Sequence, residues 1–423
     1  MSGWGQARDR WQGAASLARR AVRLSPAEIT QRAAVRLYRR TGADLLTFPL
    51  LTGDVADSTA LALALPAVRP DRATPLTIGW LTVPPSPGSG GHTTMFRMVR
   101  ALEAAGHRCV LYLYDRHGGD LERHTRIVRE GWGDIAAEVR DVADGLVGLD
   151  ACVATSWQTA HVLAARGAAP MRRLYFVQDY EPFFYPRGSE YSLAEDTYRF
   201  GFRRIALGEM VGGLMEALDG DRPDVVPFGL DTSVYGVPPT SPPRSGVIFY
   251  GKPDVPRRGY VLGLLALEEF HRRHPDQEIH VYGEFVRELT MPVTLHDRMT
   301  TSELNALYNR TIAGFGLSFT NISLVAEEML AGGVIPVVND SPYARADLDN
   351  PYVSWAQPTP GALADALSRA VERVDRDAYA RLAAASVRGR SWAPAQAGVL
   401  RIVEDEVYGP AAGPADDAAG GPA

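Results

Sequence analysis

Lysine is almost missing from this chain. All but one of its 44 basic residues are arginine, the exception being Lys252. Arginine nearly to the exclusion of lysine, with much alanine, suggests a GC-rich bacterial genome. Cysteine is scarce too: Cys109 and Cys152 are the only two. Both sit in apolar, strand-like runs and read as buried reduced thiols, which fits a reducing compartment. No apolar run reaches the ~18–20 residues that span a bilayer, and no signal peptide with a cleavage site is visible. The expected location is therefore the cytoplasm, with peripheral contact at the inner face of the membrane as an extension of that reading. Positive charge is not in excess: 50 acidic residues outweigh the basic ones and leave a net charge of −6. That argues against a general nucleic-acid binder, so any anion site has to be a local arrangement of cations. No Cys/His spacing fits zinc and no G-x-S-x-G or Cys/His nucleophile pattern is present. No metal and no cofactor is expected.

What is present points to two α/β halves. At 423 residues the chain exceeds the ~250–300 at which single cores stop growing. Residues 1–75 form an arginine-rich extension with helical runs. A solvated accessory helix packing on a domain is the plainer reading; a basic helix lying on an anionic membrane surface is the alternative, and a targeting peptide a third. From Leu76 apolar strands alternate with helices: "LTIGWLTV", "RCVLYLYD", "DACVATSW", "RRLYFVQDY", "RRIALG", "DVVPFG". The Pro/Ser/Gly-rich "GVPPTSPPRSG" at 236–246 reads as a linker. The alternation then restarts with "GVIFYG", "EIHVYG", "IAGFGLS" and "VIPVVN". Such alternation predicts parallel sheets covered on both faces. The expected organisation is 76–235 and 247–390 as two Rossmann-like domains, a closing helix over 391–408, and a disordered low-complexity tail over 409–423.

Four stretches carry candidate chemistry. In "YGKPDVPRRGY", Lys252 follows a strand at the carboxyl end where open α/β sheets bind ligands. Arg257 and Arg258 precede a helix starting near Gly259, whose free N–H groups favour an anion. Together they suit a phosphate or diphosphate; a surface basic cluster is the plainer reading. In "SFTNISLVAEEMLAGG", Asn321 and Ser323 are N-cap candidates, and the adjacent Glu327 and Glu328 point about 100° apart, so at most one faces a cleft. In "PPSPGSGGHTT", Gly90 and Gly91 permit close approach of a ligand, and His92 is a catalytic or capping residue. This loop is a near miss of G-x-G-x-x-G. With Asp115 placed as a ribose-binding acid, a nicotinamide-dependent oxidoreductase is a rival reading. In "VQDYEPFFYP", Asp179 and Glu181 lie among aromatics in a loop suited to a sugar or lipid-linked acceptor.

In combination these stretches resemble the retaining, glycogen-synthase-like GT-B glycosyltransferases. "VPFGLDTSVY" resembles the family's P-x-G-x-D segment, and "YGKPDVPRRG" its phosphate clamp, with Lys252 in the arginine place and Arg258 in the lysine place. "EEMLAGG" resembles its glutamate helix, and "SWAPAQAGVLRIVEDEVY" its closing helix. The glycine loop, "VQDYEPFFYP" and "SFTNISLVAEEML" look most like bacterial rhamnosyltransferases of cell-surface glycans. The resemblance implies a GT-B fold: two Rossmann-like domains with parallel sheets facing a central cleft, plus the N-terminal helical extension. It also implies a nucleoside-diphosphate-sugar donor, a glycan or lipid-linked acceptor, and transfer with retention and without metal. Lys252 and Arg258 would hold the diphosphate, Glu328 the ribose, and the loop around Leu295–Met299 the base. The family's first glutamate falls on Thr320, a departure that leaves Asn321 and the amides near Ile322, Ser323 and Leu324 to meet sugar and phosphate. On the acceptor side the expected residues are His92, Asp179 and Glu181. A sugar-nucleotide epimerase shares the two-domain plan and is a further alternative.

Overall fold

A computed structural model describes residues 26–41, 47–240, 242–283, 289–297, 299–322 and 324–410. The chain forms two compact units, one up to Thr52 and one from Gly53 onward. In the first, the expected helical run is present as α1 (Pro26–Arg40). Its end is closed by the Thr41 hydroxyl, which donates to Leu37 O at 2.9 Å. Val35, Leu37 and Tyr38 are exposed along it. The rest of the basic stretch, 1–25, lies outside the described residues, as do 411–423 of the tail.

The second unit is built on two sheets, parallel throughout. The first holds β1 (Thr77–Thr82), β2 (Arg108–Leu113), β3 (Glu138–Asp141), β4 (Ala151–Ala154), β5 (Arg172–Val177), β6 (Arg203–Leu207) and β7 (Asp224–Val226). Their spatial order is β3-β2-β1-β4-β5-β6-β7. The second holds β8 (Val247–Gly251), β9 (Ile279–Gly283), β10 (Thr294–His296), β11 (Ala313–Phe315), β12 (Ile335–Asn339) and β13 (Ser354–Ala356), in the order β10-β9-β8-β11-β12-β13. β1 shows why the sheet is doubly covered: Ile78, Trp80 and Leu81 are wholly buried although successive side chains face opposite sides. Its register sets Ile78 beside Cys109 on one flank and Ala151 on the other.

Helices start where side chains satisfy their free N–H groups. Ser89 caps α2 (Gly90–Ala104), and Asp120 caps α3 (Leu121–Gly131). Ser156 and Thr159 form a capping box on α4 (Trp157–Arg166). After α5 (Ser189–Asp196) and α6 (Glu209–Asp219), the second half contributes α7 (Tyr260–Arg273), entered through left-handed Gly259. There follow α8 (Thr301–Tyr308), α9 (Leu324–Ala331), α10 (Pro342–Asp347), α11 (Pro360–Val371) and α12 (Arg376–Ser386). The last helix, α13 (Ala393–Tyr408), returns to the first sheet. Its Val399, Ile402 and Val403 are wholly buried in the same core as Ile78 and Phe176. Each such side chain contributes roughly 1.5–3 kcal/mol by leaving water.

Two expected boundaries shift. Residues 53–74, read as part of the extension, belong to the second unit. Asp54 accepts both Nε and Nη2 of Arg166, at 2.7 and 2.8 Å, and the Ser58 hydroxyl donates to Asp196 at 2.6 Å. The stretch 236–246, read as a free linker, is held to the second sheet. Arg244 is buried and donates to the carbonyls of Tyr308, Thr311 and Gly332 at 2.8–2.9 Å, and Asn309 Nδ2 donates to Gly236 O at 2.9 Å. The chain changes lobes earlier: Phe228 packs in the first core and Leu230 in the second. Gly229, between them, lies against the returning chain, where an added Cβ would sit 2.6 Å from Trp392.

Candidate active site

The carboxyl ends of β8 and β11 open into a small cleft lined by Tyr250, Arg258, Gly316, Leu317 and Val325. Arg258 sits here because residues 256–258 form a single turn before Gly259, whose φ of 63° starts α7. Its Nη1 donates to Ser318 Oγ at 2.9 Å. Ser318 is itself fixed: its amide donates to Asn339 Oδ1 at 2.8 Å, its carbonyl accepts Asn339 Nδ2 at 2.7 Å, and its hydroxyl donates to Asn321 O. Phe319 N donates to Arg257 O at 2.9 Å, knitting the arginine turn to the loop 318–321. Lys252 lies over the Tyr250 ring at 5.8 Å, and Tyr250 stacks on Tyr282 at 4.9 Å. The two predicted clamp cations thus lie on one wall.

On the first sheet the expected residues divide. His92 is half-buried beside the glycine loop. Its Nε2 lies 3.2 Å from Val83 O, which can only accept, so Nε2 carries the proton and Nδ1 accepts from Ser89 at 2.8 Å. Burial lowers its pKa, and both nitrogens are engaged. Glu181 is also committed locally: its carboxylate accepts from Trp157 N, at the start of α4, and from the Tyr175 hydroxyl at 2.9 Å. Burial pushes its pKa up to about 8. Both ring nitrogens of His92 and the Oε2 atom of Glu181 are thus engaged within their own lobe. Gly90 opens α2 with space where a Cβ would be, and a Cβ on Gly91 would sit 3.7 Å from the Gln178 carboxamide. Asp115 is likewise spoken for, accepting from His117 N, Gly119 N and His124 Nε2 at 2.9–3.1 Å. The carboxylate that a nicotinamide-binding reading needs is therefore tied into its own loop.

Asp179 instead reaches across the lobes. Its Oδ2 accepts the Thr320 hydroxyl at 2.8 Å and its Oδ1 the Asn321 amide at 3.2 Å. Arg257 Nε stands 3.7 Å from the same carboxylate, with the guanidinium 4.1 Å over the Phe184 ring. Asn321 Nδ2 donates back to Gln178 O at 2.7 Å. Burial raises the Asp179 pKa, opposed by Arg258 and Arg257. Glu328, half-buried, is pushed up to about 7 by burial, opposed first by Arg97 of α2 and also by a hydrogen bond from Tyr235. Arg97 is steered by Asp231 at 3.6 Å and by Trp392, 4.9 Å beneath it. Glu327 is wholly buried rather than on the surface. Arg390 lies 2.7 Å away, and burial pushes Glu327 up to about 7. Both carboxylates therefore face the meeting of the lobes. Nearby, Asp347 of α10 accepts Glu209 N and Met210 N at the start of α6, at 2.6 and 3.0 Å.

Of the remaining expected residues, Ile322 is buried in the second core and the Leu324 side chain packs against the first. This leaves only main-chain groups there for a ligand. Ser323 lies outside the described residues. Leu295 is exposed, and Met299 packs against the second core. Sequence reasoning missed Arg97, Tyr235, Gln178 and Arg390. Arg97 and Gln178 meet their partners only through the docking of two lobes, Tyr235 and Arg390 lie far in sequence from Glu328 and Glu327, and no local pattern marks them. Among the described residues no group of three or more His, Cys, Asp and Glu side chains is placed to hold a metal ion, and no helix is long and apolar enough to cross a membrane.

Comparison with known proteins agrees with this fold. Residues 146–209 match the family model described as WsaF, N-terminal domain, and residues 245–368 that of WsaF, C-terminal domain. Over 330 residues, 68% of the chain, the sequence is 34% identical to the O-antigen biosynthesis protein RfbC of Myxococcus xanthus; the chain spans 25% of that protein's length. Among solved structures, Anabaena HepE in complex with UDP and glucose superposes with a TM-score of 0.60 at 15% identity, covering 78% of this chain and 98% of its own. TarM of S. aureus gives 0.60 at 9% identity, over 78% and 99%. WaaG, a glycosyltransferase involved in lipopolysaccharide biosynthesis, gives 0.54 at 12% identity, over 78% and 100%. This chain has the GT-B fold. Its GT-B cleft has cations on the second-sheet wall and Asp179 and Arg97 on the first. Where the GT-B resemblance places a first glutamate, Thr320 is buried and bonded to a carboxylate from the opposite lobe.

Proposed function

We propose that the protein is a nucleotide-sugar-dependent glycosyltransferase of cell-surface glycan synthesis. It moves a hexose, rhamnose on the narrower resemblance, from a nucleoside diphosphate to a glycan or lipid-linked acceptor hydroxyl, with retention. One observation carries the reading. The cations Lys252 and Arg258 stand at the strand ends of the second sheet, on the same wall as Glu328, and the first lobe reaches in with Asp179 and Arg97. HepE is found with UDP-glucose on this fold, and RfbC is an O-antigen biosynthesis protein; both support a nucleotide-sugar donor and a surface-glycan product.

In this mechanism the glycosidic carbon–oxygen bond to the diphosphate breaks and its electron pair stays on the leaving group. Lys252, Arg258 and the amides of the loop before α9 lie where that charge develops, and fixed donors of this kind stabilise it without reorganisation. The cations supply the compensating charge themselves, so the reading requires no metal. The acceptor hydroxyl attacks from the leaving-group face and its proton passes to the departing phosphate. Glu328, steered by Arg97 and Tyr235, accepts from the ribose. The exposed α1, with Arg32, Arg36 and Arg40 beside Leu37 and Tyr38, supports peripheral contact with an anionic membrane, where a lipid-linked acceptor would be met.

The test is transfer or donor hydrolysis across a panel of nucleotide sugars, with Lys252→Ala and Arg258→Ala. Each removes a charge-assisted hydrogen bond of about 1.5–3 kcal/mol, so turnover should fall ~10- to 100-fold. Wild-type rates in both variants reject the clamp.

A further inference from the structure

Two hydrogen-bond donors and two guanidinium charges act on one buried carboxylate at the meeting of the lobes. The Thr320 hydroxyl and the Asn321 amide bond to Asp179, Arg257 stands at 3.7 Å, and Arg258 acts on it electrostatically. A hydroxyl, a main-chain N–H before a helix and two guanidiniums are the groups that hold a phosphate oxygen. Asp179 does not satisfy them all. Arg257 Nε is buried and makes no hydrogen bond, and Asn321, nine-tenths buried, keeps Oδ1 without a partner. Asn321 Nδ2 is committed to Gln178 O, so Oδ1 is turned as an acceptor. Arg257 Nε lacks an acceptor and Asn321 Oδ1 lacks a donor; a phosphate oxygen next to a sugar hydroxyl supplies both.

We infer that Asp179 is the resident occupant of an anion subsite, built by Arg257, Arg258, Thr320 and Asn321, and that the donor's diphosphate binds there by displacing it. This rests on the donor reading proposed above. The subsite lies beside the Lys252–Tyr250 wall and shares Arg258 with it, so a diphosphate held by Arg258 meets Asp179 as a competitor of like charge. Asp179 comes from the first lobe and the donors from the second, so the exchange also breaks one of the contacts that hold the lobes together.

Displacement and support predict opposite signs. Isothermal titration of the whole chain with inorganic pyrophosphate, and separately with UDP, compares wild type with Asp179→Asn. Removing the competing charge should tighten pyrophosphate by about tenfold, whereas Arg257→Gln should weaken it. Unchanged or weaker binding to Asp179→Asn overturns the inference, as does an absence of pyrophosphate binding in both proteins. Hydrogen exchange on the wild type gives a second reading that needs no variant. Pyrophosphate should speed exchange in the loop 178–185 as Asp179 lets go, and slower exchange there contradicts displacement. If pyrophosphate tightens on Asp179→Asn but no nucleotude sugar is turned over, the subsite stands and the transferase reading falls. If sugar is transferred but pyrophosphate does not tighten, the subsite falls and the transferase reading stands.

Discussion

Replacing Arg390 with methionine isolates the energetics of the buried pair beside the lobe crossing. Glu327 has no exposed surface, and its pKa stands at about 7 even with the Arg390 guanidinium 2.7 Å away. Raised from 4.5, its ionisation in the folded state costs roughly 3 kcal/mol. Without Arg390 the carboxylate is left buried and uncompensated, a change that costs about 3–5 kcal/mol in buried pairs. Arg390 is about one-third exposed, so the lower end applies. The sign with pH follows from the raised pKa: the contribution is fully present below 4.5 and is lost as pH rises through about 7. At about pH 5.5 Glu327 is protonated and the variant loses mainly the bond from Arg390 to Phe228 O, 3.1 Å in length, worth ~1 kcal/mol. At about pH 8 it should lose roughly 3 kcal/mol. Urea unfolding followed by tryptophan fluorescence at the two pH values measures this difference. Arg390→Met with Glu327→Gln should recover most of the loss at the higher pH. Equal destabilisation at both pH values, or no recovery in the double variant, refutes the reasoning.

Gly229→Ala places a Cβ 2.6 Å from Trp392. It should destabilise by about 1–3 kcal/mol, measured by thermal melting, while Gly213→Ala, with open space at its Cβ position, should be neutral or stabilising. Glu181 ionises only near pH 8 in the fold, so it favours the folded state below 4.5 and that stability is lost as pH rises from there through about 8. Glu181→Gln should therefore flatten the fall in melting temperature between about pH 6 and 8. Arg97 opposes the burial that raises Glu328. Arg97→Met should move the acid limb of the donor kcat/KM profile to higher pH, and an unmoved limb removes Arg97 from the ribose site.

The sheet cores were legible because their central strands are apolar on both faces. "TIGWLT" and "RCVLYL" lie where continuous burial demands such runs. The strands that escaped reading, β3, β10 and β13, are three of the four outermost ones; the fourth, β7, keeps two valines and was read. Edge strands cover only part of their surface, so "EVRD" and "TLH" carry no apolar signal. The placement of two cations was legible in the same way: Lys252 and Arg258 follow a readable strand and precede a readable helix. The rest of the site was not. Asp179 was singled out for its loop, but nothing local shows that its partners are Thr320 and Asn321, some 140 residues away. His92 and Glu181 have the residue types of catalysis, yet Val83 O, Ser89, Trp157 and Tyr175 engage them. The proline-rich stretch looked like a free linker because composition reports an irregular backbone, not whether an arginine such as Arg244 anchors it.

The chain's sole ε-amine stands at the cleft, over Tyr250. Acylating reagents that scatter over the surface of most proteins have one side-chain target here. A fluorophore or affinity tag attached through Lys252 would be uniform from molecule to molecule. Its attachment rate would report directly whether nucleotide is shielding the nitrogen, with no engineered handle.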